Sequence, residues 1–342
     1  MIEIIKDKEE WNNLINSTED SDFYHSFSYH QISKSIKDIP ILIKYTEENK
    51  IIGLPLLLRS IENSDYIDAT SVYGYSGPIT INIDNNFDFT TYNEELYHFF
   101  LEQKIVSVFS RLNPFIPFQE KCLGKLGKIE TSGKVVNIDI TSDLDSQLKN
   151  YNKRLKTYIN KARRNCSVLN SKSKNDVLTF INLYYKNMTR VNAKKKYFFS
   201  EEYFFNLLNN NDFETELLLC VHNKTKKIIG GAMFTKKNKI IQYHLSGSDE
   251  NYLDFYPIRL LIDEMRIMAS NENYSFFNLG GGLGGDEDTL FQFKANFSKS
   301  FKPFKLWKYI VNENVYNDLV KLNPINDSKQ SSHFFPSYRF NN

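Results

Sequence analysis

The sequence predicts an α/β fold with mixed sheets, divided between two domains. The chain has 342 residues, and because a single hydrophobic core stops growing at about 250 to 300 residues, two cores are expected. Residues 41–53 and 218–230 align without a gap, and each is an apolar run, a polar turn and a second apolar run. This pattern is typical of a β-hairpin. The repeat predicts two halves built in the same order; a chance match of two common hairpins is the alternative.

Segments with helical periodicity accompany both hairpins. Residues 27–36 precede the first hairpin and residues 175–208 precede the second, where Ser200 is placed to cap a helix with acidic residues in its first turn. After the second hairpin, Pro257 suits the first turn of another helix. An apolar stripe at helical spacing follows and predicts core packing: Ile258, Leu261, Ile262, Met265, Met268 and Ala269.

The segment between the two halves predicts one amphipathic linking helix over residues 148–162. Its apolar side chains recur at helical spacing, at Leu148, Tyr151, Leu155, Ile159 and Ala162. Its other face is basic, since residues 149–174 contain nine Lys or Arg and no Asp or Glu. We therefore expect a first domain at residues 1–147, a basic linking helix at 148–170, a second domain at 171–325 and a polar tail at 326–342.

The composition limits the partners and the compartment. The 43 basic and 41 acidic residues leave a formal net charge of +2, which argues against DNA binding but leaves room for local basic patches. Cys122, Cys166 and Cys220 are widely separated and odd in number, so neither a disulfide framework nor a metal site is predicted. The start of the chain lacks the pattern of a secretory signal, and no apolar run reaches about eighteen residues. We expect a cytoplasmic protein without a membrane span.

The most specific motifs lie in residues 240–297, and earlier motifs precede them in a fixed order. In chain order they are YGYSGP (73–78), FSRLNP (109–114), KRLKTYINKA (153–162), YHLSGS (243–248), NLGGG (278–282) and LFQFKANF (290–297). Together they resemble the FemAB-type transferases, a branch of the GNAT acyltransferase superfamily, over roughly residues 20 to 310. The resemblance implies two tandem GNAT-like domains. The chain has no room for the long helical arm of the larger family members, so it resembles the compact ones.

The resemblance implies that Phe293 and Lys294 lie beside the reacting ester, where the lysine stabilises the charge of the tetrahedral intermediate or the leaving oxygen. An ordinary exposed lysine is the alternative. His244 and Asp288 are the candidate general bases, although the amine can instead lose its proton to the substrate's own ester oxygen or to water. His244, at a strand end, also fits a purely structural histidine.

Further residues are predicted to contact the substrates. The resemblance places the basic helix near the site of a nucleotide-linked acceptor, so it implies that Lys153, Lys156 and Tyr158 contact the acceptor phosphates; a merely solvated helix face is the alternative. Tyr75 and Arg111 fit either acceptor contacts or ties between the domains. Glycines after the second strand would let the backbone approach the reacting carbonyl, whereas the acids at 286–288 argue against a phosphate loop there. The predicted substrate-binding residues are Tyr73, Tyr75, Arg111, Lys153, Lys156, Tyr158, Ser246, Asn278, Gly280 and Gly281.

The class of acyl donor is predicted from residues 249–256, which connect the YHLSGS motif to the helix that begins at Pro257. GNAT enzymes that use acyl-CoA hold its pyrophosphate on a glycine-containing loop before a helix. Residues 249–256 contain no glycine and three acids, so acyl-CoA is disfavoured. The acid-free basic segment favours aminoacyl-tRNA as the donor, used as a co-substrate, with no resident cofactor and no metal.

The resemblance therefore implies an acyltransferase that forms an amide on an amine of a cell-envelope precursor, either a muropeptide or a nucleotide-linked amino sugar. An acyl-CoA-dependent N-acyltransferase, acting on a nucleotide-linked amino sugar of surface polysaccharide, is the first alternative. The second alternative is a non-catalytic binding module that retains the fold, and the retained Phe293 and Lys294 argue against it.

Overall fold

The computed structural model describes residues 1–322 and 334–340. The chain forms two compact units. Unit 1 comprises Met1–Ser132 and Phe304–Asn342, and unit 2 comprises Gly133–Pro303. The chain enters unit 2 within one strand and returns to unit 1 within another, so the boundaries differ from those expected from the sequence at 147 and 325.

Unit 1 contains a sheet with helices around it. In chain order its elements are β1 (Ile2–Ile5), α1 (Lys8–Asn16), α2 (Phe27–Ser33), β2 (Ile39–Glu47), β3 (Lys50–Ser60), β4 (Ile67–Thr70), β5 (Ile79–Ile81), α3 (Thr90–Glu102), β6 (Ile105–Arg111) and α4 (Gln119–Leu123). The strand β7 (Lys128–Asp139) then leads into unit 2.

Unit 2 repeats this architecture. Its elements are α5 (Leu144–Lys149), α6 (Lys153–Asn165), β8 (Cys166–Asn170), α7 (Lys174–Arg190), α8 (Glu201–Leu208), β9 (Glu214–His222), β10 (Ile228–Lys237), β11 (Ile240–Ser248), α9 (Pro257–Asn271), β12 (Phe276–Gly280) and α10 (Thr289–Ala295). The strand β13 (Ser300–Ile310) leads back to unit 1, where α11 (Glu313–Leu322) follows.

Both predicted hairpins are confirmed, and each is followed by a parallel strand pair. In unit 1, β2 pairs antiparallel with β3, and β4 pairs parallel with β6. In unit 2, β9 pairs antiparallel with β10, and β11 pairs parallel with β12. Parallel pairing needs a crossover, which α3 supplies in unit 1 and α9 supplies in unit 2. The two halves therefore share one order of elements, as the repeat in the sequence predicts.

Separate cores hold the two units. In unit 1, the core includes Leu54, Leu96 and Trp307, all fully buried. In unit 2, Phe234 and Phe277 from the sheet pack with the buried face of α9. Ser200 caps α8 by accepting from the backbone N–H of Tyr203, and Pro257 opens α9, as predicted. At about 25 cal/mol per Å² of buried apolar surface, such cores are the dominant stabilising contribution in each unit.

The linking segment is not the single helix that the sequence predicts. It consists of α5 and α6, and Asn152 lies between them in a non-helical conformation. The side chain of Asn152 accepts from the backbone N–H of Arg154 at 3.0 Å and so caps α6. The prediction of the buried stripe is confirmed, because Leu155, Ile159 and Ala162 are buried. The prediction of a continuous helix is wrong because this cap starts a new helix.

The end of the chain packs on unit 1 where the structure describes it. Tyr338 is buried, and its hydroxyl lies 2.9 Å from the Ser107 hydroxyl and donates to Asp68 at 3.0 Å. Arg339 forms an ion pair with Asp68. Part of the predicted polar tail, residues 326–333 and 341–342, lies outside the described residues. Over residues 334–340 the expectation of a free tail is wrong, because the aromatic and basic side chains find buried partners. Across residues 1–322 and 334–340, no helix is long and apolar enough to cross a membrane.

Candidate active site

The candidate site of unit 2 lies where the parallel strands β11 and β12 separate. Their pairing ends at Gln242 and Asn278, while β11 continues along β10 to Ser248. We call the diverging ends, residues 243–248 of β11 and residues 279–282 after the last pair, the fork. In open α/β sheets, ligands bind outside the carboxyl ends of parallel strands. The fork is such a place, and it carries both strand-end motifs of the sequence.

His244 is the extra residue of a β-bulge in the fork. On the neighbouring strand, Met233 pairs with Leu245 and Phe234 pairs with Tyr243, so His244 has no opposite residue. Bulges re-aim a side chain next to many active sites. The His244 Nε2 atom lies 2.8 Å from the Tyr203 hydroxyl of α8. Burial lowers the pKa of His244 to about 4, so its imidazole is neutral at neutral pH and a weak base.

Lys294 is buried in α10, and its ammonium is bound to the fork. Lys294 is only 8% exposed, and its Nζ atom donates to the backbone oxygen of Gly281 at 2.6 Å. Burial lowers the pKa of Lys294 to about 8, and the nearby carboxylate of Asp288 opposes this shift. The alternative of an ordinary exposed lysine is therefore wrong. An ammonium has three donors, and Gly281 is the partner seen for Nζ among the described residues.

Asp288 caps α10. One of its oxygens accepts from the backbone N–H of Phe291 at 2.8 Å, and the other accepts from that of Leu283 at 3.1 Å. Burial opposes the ionisation of Asp288, but these backbone donors outweigh it and lower the pKa of the carboxyl. Hydrogen bonds to the charged form have this effect. Both oxygens hold the turn and the helix that carry Lys294, which disfavours Asp288 as a general base.

The glycines after β12 allow a tight turn beside Asp288. Gly280 has a φ of 77°, a conformation that glycine adopts without strain. A Cβ atom on Gly282 would lie 2.0 Å from the backbone oxygen of Asp286 and 2.4 Å from a carboxylate oxygen of Asp288. The turn therefore requires these glycines for its own packing.

Asn278 lies beneath the fork and is fully buried. Its Nδ2 donates to Oε1 of Gln242 at 2.8 Å, and its Oδ1 accepts from the backbone N–H of Gly280 at 2.9 Å. The amide thus ties the two parallel strands and the glycine turn together. This placement differs from the substrate contact that the sequence analysis predicts for Asn278.

The Gln242 and Asn278 pair belongs to a polar row across five strands of unit 2. Directly paired residues on neighbouring strands share one face of a sheet, and the successive pairs are Asn137 with Asn278, Asn278 with Gln242, Gln242 with Thr235, and Thr235 with Thr215. All five side chains are buried. Among the described residues, Oδ1 of Asn137 and the hydroxyls of Thr215 and Thr235 have no hydrogen-bond partner.

Arg259, in the first turn of α9, is a site residue that the sequence analysis missed. Its guanidinium carbon lies 5.0 Å from the ring centroid of Phe293, 5.3 Å from that of Tyr158 and 5.2 Å from that of Tyr256. The Tyr158 and Tyr256 rings stack at 4.2 Å. Burial lowers the pKa of Arg259, although the two tyrosines oppose it. No carboxylate pairs with Arg259 among the residues described, so an anionic ligand is a fitting partner.

The structure separates the cations of α6 into different roles. Arg163 forms ion pairs with Asp263 at 2.8 Å and with Glu264, so it is a structural cation. Lys161 lies 5.4 Å from the ring centroid of Tyr256, next to Arg259. Lys153 and Lys156, two of the predicted phosphate contacts, are exposed on the outer face of the helix. Lys161, Tyr158 and Arg259 therefore form one cluster. Its signal in the sequence is a basic residue, Arg259, in the first turn of the helix that follows β11.

The remaining predicted residues have local partners. Ser246 lies on β11, and its hydroxyl is hydrogen-bonded to that of Tyr243. In unit 1, Tyr73 follows β4 and is 51% exposed, and the guanidinium carbon of Arg111 lies 5.6 Å from its ring centroid. Tyr75 packs edge to face on Tyr24 at 5.8 Å. These three unit 1 residues lie at the ends of β4 and β6, the parallel pair that corresponds to the fork.

Comparison with known proteins agrees with this architecture. Residues 219–304 match the family model described as FemAB family, whereas no curated protein matches the chain. Among solved structures, FemX superposes with a TM-score of 0.73 and 13% identity, over 92% of this chain and 99% of that one. A conserved protein of unknown function from Bacteroides thetaiotaomicron VPI-5482 gives a TM-score of 0.58 and 12% identity, over 91% and 100%.

A third structure is the C-terminal domain of a putative lysylphosphatidylglycerol synthetase from Agrobacterium fabrum. Its TM-score is 0.55 at 14% identity, over 92% of this chain and 97% of that domain. The family match supports an acyltransferase, and the superpositions show that the fold is similar to that of FemX. The match to the FemAB family model is limited to residues 219–304. The longest helix of unit 2 is α7, with 17 residues, so unit 2, all of whose residues are described, contains no long helical arm.

Proposed function

We propose that this protein transfers an aminoacyl group from aminoacyl-tRNA to an amine of a cell-envelope precursor. The observation that carries the proposal is Lys294, a buried ammonium fixed at the fork by the Gly281 carbonyl. The FemAB family match over the segment that contains Lys294 supports the reaction class. The acceptor is a muropeptide or a nucleotide-linked amino sugar.

The reaction exchanges an ester for an amide. The acceptor amine attacks the ester carbonyl, so that a C–N bond forms and the C–O bond to the ribose breaks. The negative charge that develops on oxygen falls within reach of Lys294, whose remaining two donors stabilise it. A preorganised cation in a site with little water favours the transition state over the bound ester.

The amine proton goes to the leaving oxygen. His244 is a weak base because its pKa lies near 4, and Asp288 is occupied by the backbone of α10 and the turn before it. We therefore assign the proton transfer to the substrate's own oxygen, with Lys294 holding the charge. His244 and its partner Tyr203 then shape the wall of the fork.

The donor is held by cations and aromatic rings together. Phosphates pair with exposed lysines such as Lys153 and Lys156, while a base or ribose of the 3′ end fits against Tyr158 and Tyr256 beside Arg259. Acyl-CoA also carries phosphates and a base, so the cluster at the start of α9 is the observation that keeps the acyl-CoA alternative open. Residues 249–256 still offer no glycine loop for its pyrophosphate.

A donor exchange experiment tests the proposal. Purified protein is incubated with a nucleotide-linked muropeptide and tRNA charged with a mixture of labelled amino acids, and in parallel with a nucleotide-linked amino sugar and acetyl-CoA. We expect label in the muropeptide with aminoacyl-tRNA alone, and about 100-fold slower labelling with Lys294→Met. Transfer from acetyl-CoA alone would establish the acyl-CoA alternative. No transfer from either donor, with donor and acceptor both bound, would indicate the non-catalytic binding module.

A further inference from the structure

A chain of three hydrogen bonds connects the buried amide of Gln242 to the ammonium of Lys294. Gln242 accepts from Asn278 at 2.8 Å, Asn278 accepts from the backbone N–H of Gly280 at 2.9 Å, and the next residue, Gly281, accepts from Lys294 at 2.6 Å. The two bonds of Asn278 are within the usual range for N–H···O geometry, and the bond from the charged ammonium is slightly shorter. The chain runs from the last paired residues of the parallel strands to the reacting end of the site.

The backbone segment in the middle of this series of hydrogen bonds, residues 280–282, has little intrinsic stiffness. Residues 280–282 are all glycine, and glycine has more backbone freedom than any other residue. Gly280 also adopts a positive φ. No side chain of this segment can pack to hold it, so its orientation depends on hydrogen bonds and on the close contacts of its backbone. The Asn278 amide supplies the bond nearest the strand end.

Asn278 cannot act by touching substrate from where it lies. Its residue is 0% exposed, and both ends of its amide are bound within the protein. A buried amide that is satisfied at both ends is rigid, because losing either partner leaves a buried polar atom unpaired. A catalytic group must be held within about 0.5 Å of the geometry that the reaction requires. A rigid partner can hold the Lys294 ammonium in this way.

We propose that Asn278, held by Gln242, is a positioning residue that fixes the Gly281 carbonyl and thereby the place of the Lys294 ammonium at the fork. The substrate contact predicted from the sequence is replaced by a role exerted through the backbone. The kinetic part of this inference rests on the proposed function, whereas the placement of Lys294 does not.

The test is the titration of Lys294 in the whole protein, measured without substrate. Competitive labelling with acetic anhydride across pH, read by mass spectrometry, gives the midpoint of the Lys294 amine. In the wild type burial holds this pKa near 8, against the opposing effect of Asp288. In Asn278→Ala the freed ammonium moves toward water, and we expect the midpoint to rise by about 1 pH unit, a tenfold gain in proton affinity.

The matched control is Thr235→Ala, a buried polar residue in the same row. It should leave the Lys294 midpoint unchanged, because among the described residues the Thr235 hydroxyl has no hydrogen bond to the glycine turn. If Asn278→Ala does not fold, Gln242→Met removes only the far partner and should move the midpoint in the same direction by a smaller amount. An unmoved midpoint in the folded Asn278 or Gln242 variant, or an equal shift in Thr235→Ala, overturns the proposal.

Kinetics separate this proposal from the proposed function. With a working donor and acceptor, Asn278→Ala should lower kcat about tenfold or more with KM little changed, because the lost placement matters in the transition state. A shifted midpoint together with no turnover in the wild type would refute the proposed function and leave the positioning role intact. A shifted midpoint with wild-type kcat would show that Asn278 places Lys294 without serving the reaction, which contradicts its role as a positioning residue for catalysis.

Discussion

Lys294 combines burial, a fixed backbone partner and a lowered pKa, and these three properties belong together. Burial alone would drive an ammonium toward neutrality. The Gly281 carbonyl and the carboxylate of Asp288 favour the charged form, so Lys294 remains largely a cation at neutral pH. Lys294 is thus a preorganised cation in a buried site. A cation in such a site stabilises the charge of a transition state more strongly than a cation in water does.

The first prediction concerns the removal of this charge. Lys294→Met should lower kcat and kcat/KM together by about 100-fold or more, the loss expected for one oxyanion donor, with KM little changed. Lys294→Arg should recover only part, because a planar guanidinium does not occupy the position of a compact ammonium. Steady-state kinetics measures both, and circular dichroism confirms folding. Lys299→Met, at an exposed lysine, is the control. A folded Met variant that keeps more than about a third of wild-type kcat would remove Lys294 from the mechanism.

The second prediction concerns pH. A lysine is charged below its pKa, so if the cation is the active form, kcat/KM should fall as the pH rises through about 8, the value at which burial sets the pKa of Lys294. Lys294→Arg should lose this basic limb at its lower activity, because guanidinium stays protonated throughout the range. The measurement is a pH profile from 6 to 10 on a pH-stable ester. A basic limb that persists unchanged in the Arg variant would assign it to another group.

Sequence motifs predicted part of the candidate site. Phe293 and Lys294 stand in a recognisable signature, and the structure places Lys294 at the fork and Phe293 against Arg259. The roles of Asn278 and Arg259 could not be read from the sequence, because each depends on a partner brought near by folding. Asn278 is tied to Gln242 across two parallel strands, and Arg259 meets Tyr158 from a different helix. The pairing of distant elements is set by packing, which local pattern does not encode.

At the element scale, α6 divides its surface between packing and charge. The stripe of Leu155, Ile159 and Ala162 is buried, while Lys153 and Lys156 are exposed. The sequence predicted this division correctly, because helical periodicity depends on the chain alone. It did not predict the break before α6, because an asparagine is tolerated within a helix and also caps one, and the choice depends on how the flanking segments pack.

The third prediction concerns the basic face. Changing Lys153, Lys156 and Lys161 together to Gln should leave the melting temperature nearly unchanged, since surface substitutions usually fall within about 0.5 kcal/mol. Affinity for tRNA should drop and lose part of its salt dependence, because fewer counterions are released. Filter binding over a range of salt concentrations measures both effects. A control with equal charge change, Lys37, Lys224 and Lys299 to Gln, uses exposed lysines elsewhere and should leave tRNA binding intact. Equal loss in both triple variants would indicate a general charge effect only.

The start of the chain and residues 334–340 belong to the same unit. The chain returns through β13, whose residues 306–310 pair with β6 of unit 1, and Tyr338 and Arg339 then bind Asp68. The sequence predicted a boundary at 325 and a tail beyond it. That expectation assumed that neighbouring segments stay together, whereas the partners of the C-terminal residues lie in the first third of the chain.

The fourth prediction concerns this C-terminal contact. Asp68 is fully buried and pairs with Arg59 at 2.7 Å as well as with Arg339. Arg339→Met leaves the buried carboxylate with one cation fewer, and we expect a loss of about 1 to 3 kcal/mol in the stability of unit 1. Arg339→Lys should lose less. Thermal and denaturant unfolding followed by circular dichroism measures the change, and limited proteolysis assigns it to a unit. Unchanged unfolding of the Met variant would show that Arg59 alone suffices for Asp68.

The polar row across unit 2 has a consequence for how its sheet assembles. Side chains alternate between the two faces of a strand, so slipping β12 by one residue would turn Asn278 into the hydrophobic core and bring Phe277 into the row. Such a slip would leave the Gln242 amide facing a phenyl ring and bury an unpaired amide among core side chains, at roughly 1 to 3 kcal/mol for each orphaned group. An all-apolar sheet would accept several alignments. The row thus favours one strand register. The amides of Gln242 and Asn278, which we propose to position Lys294, also make a shifted register unfavourable.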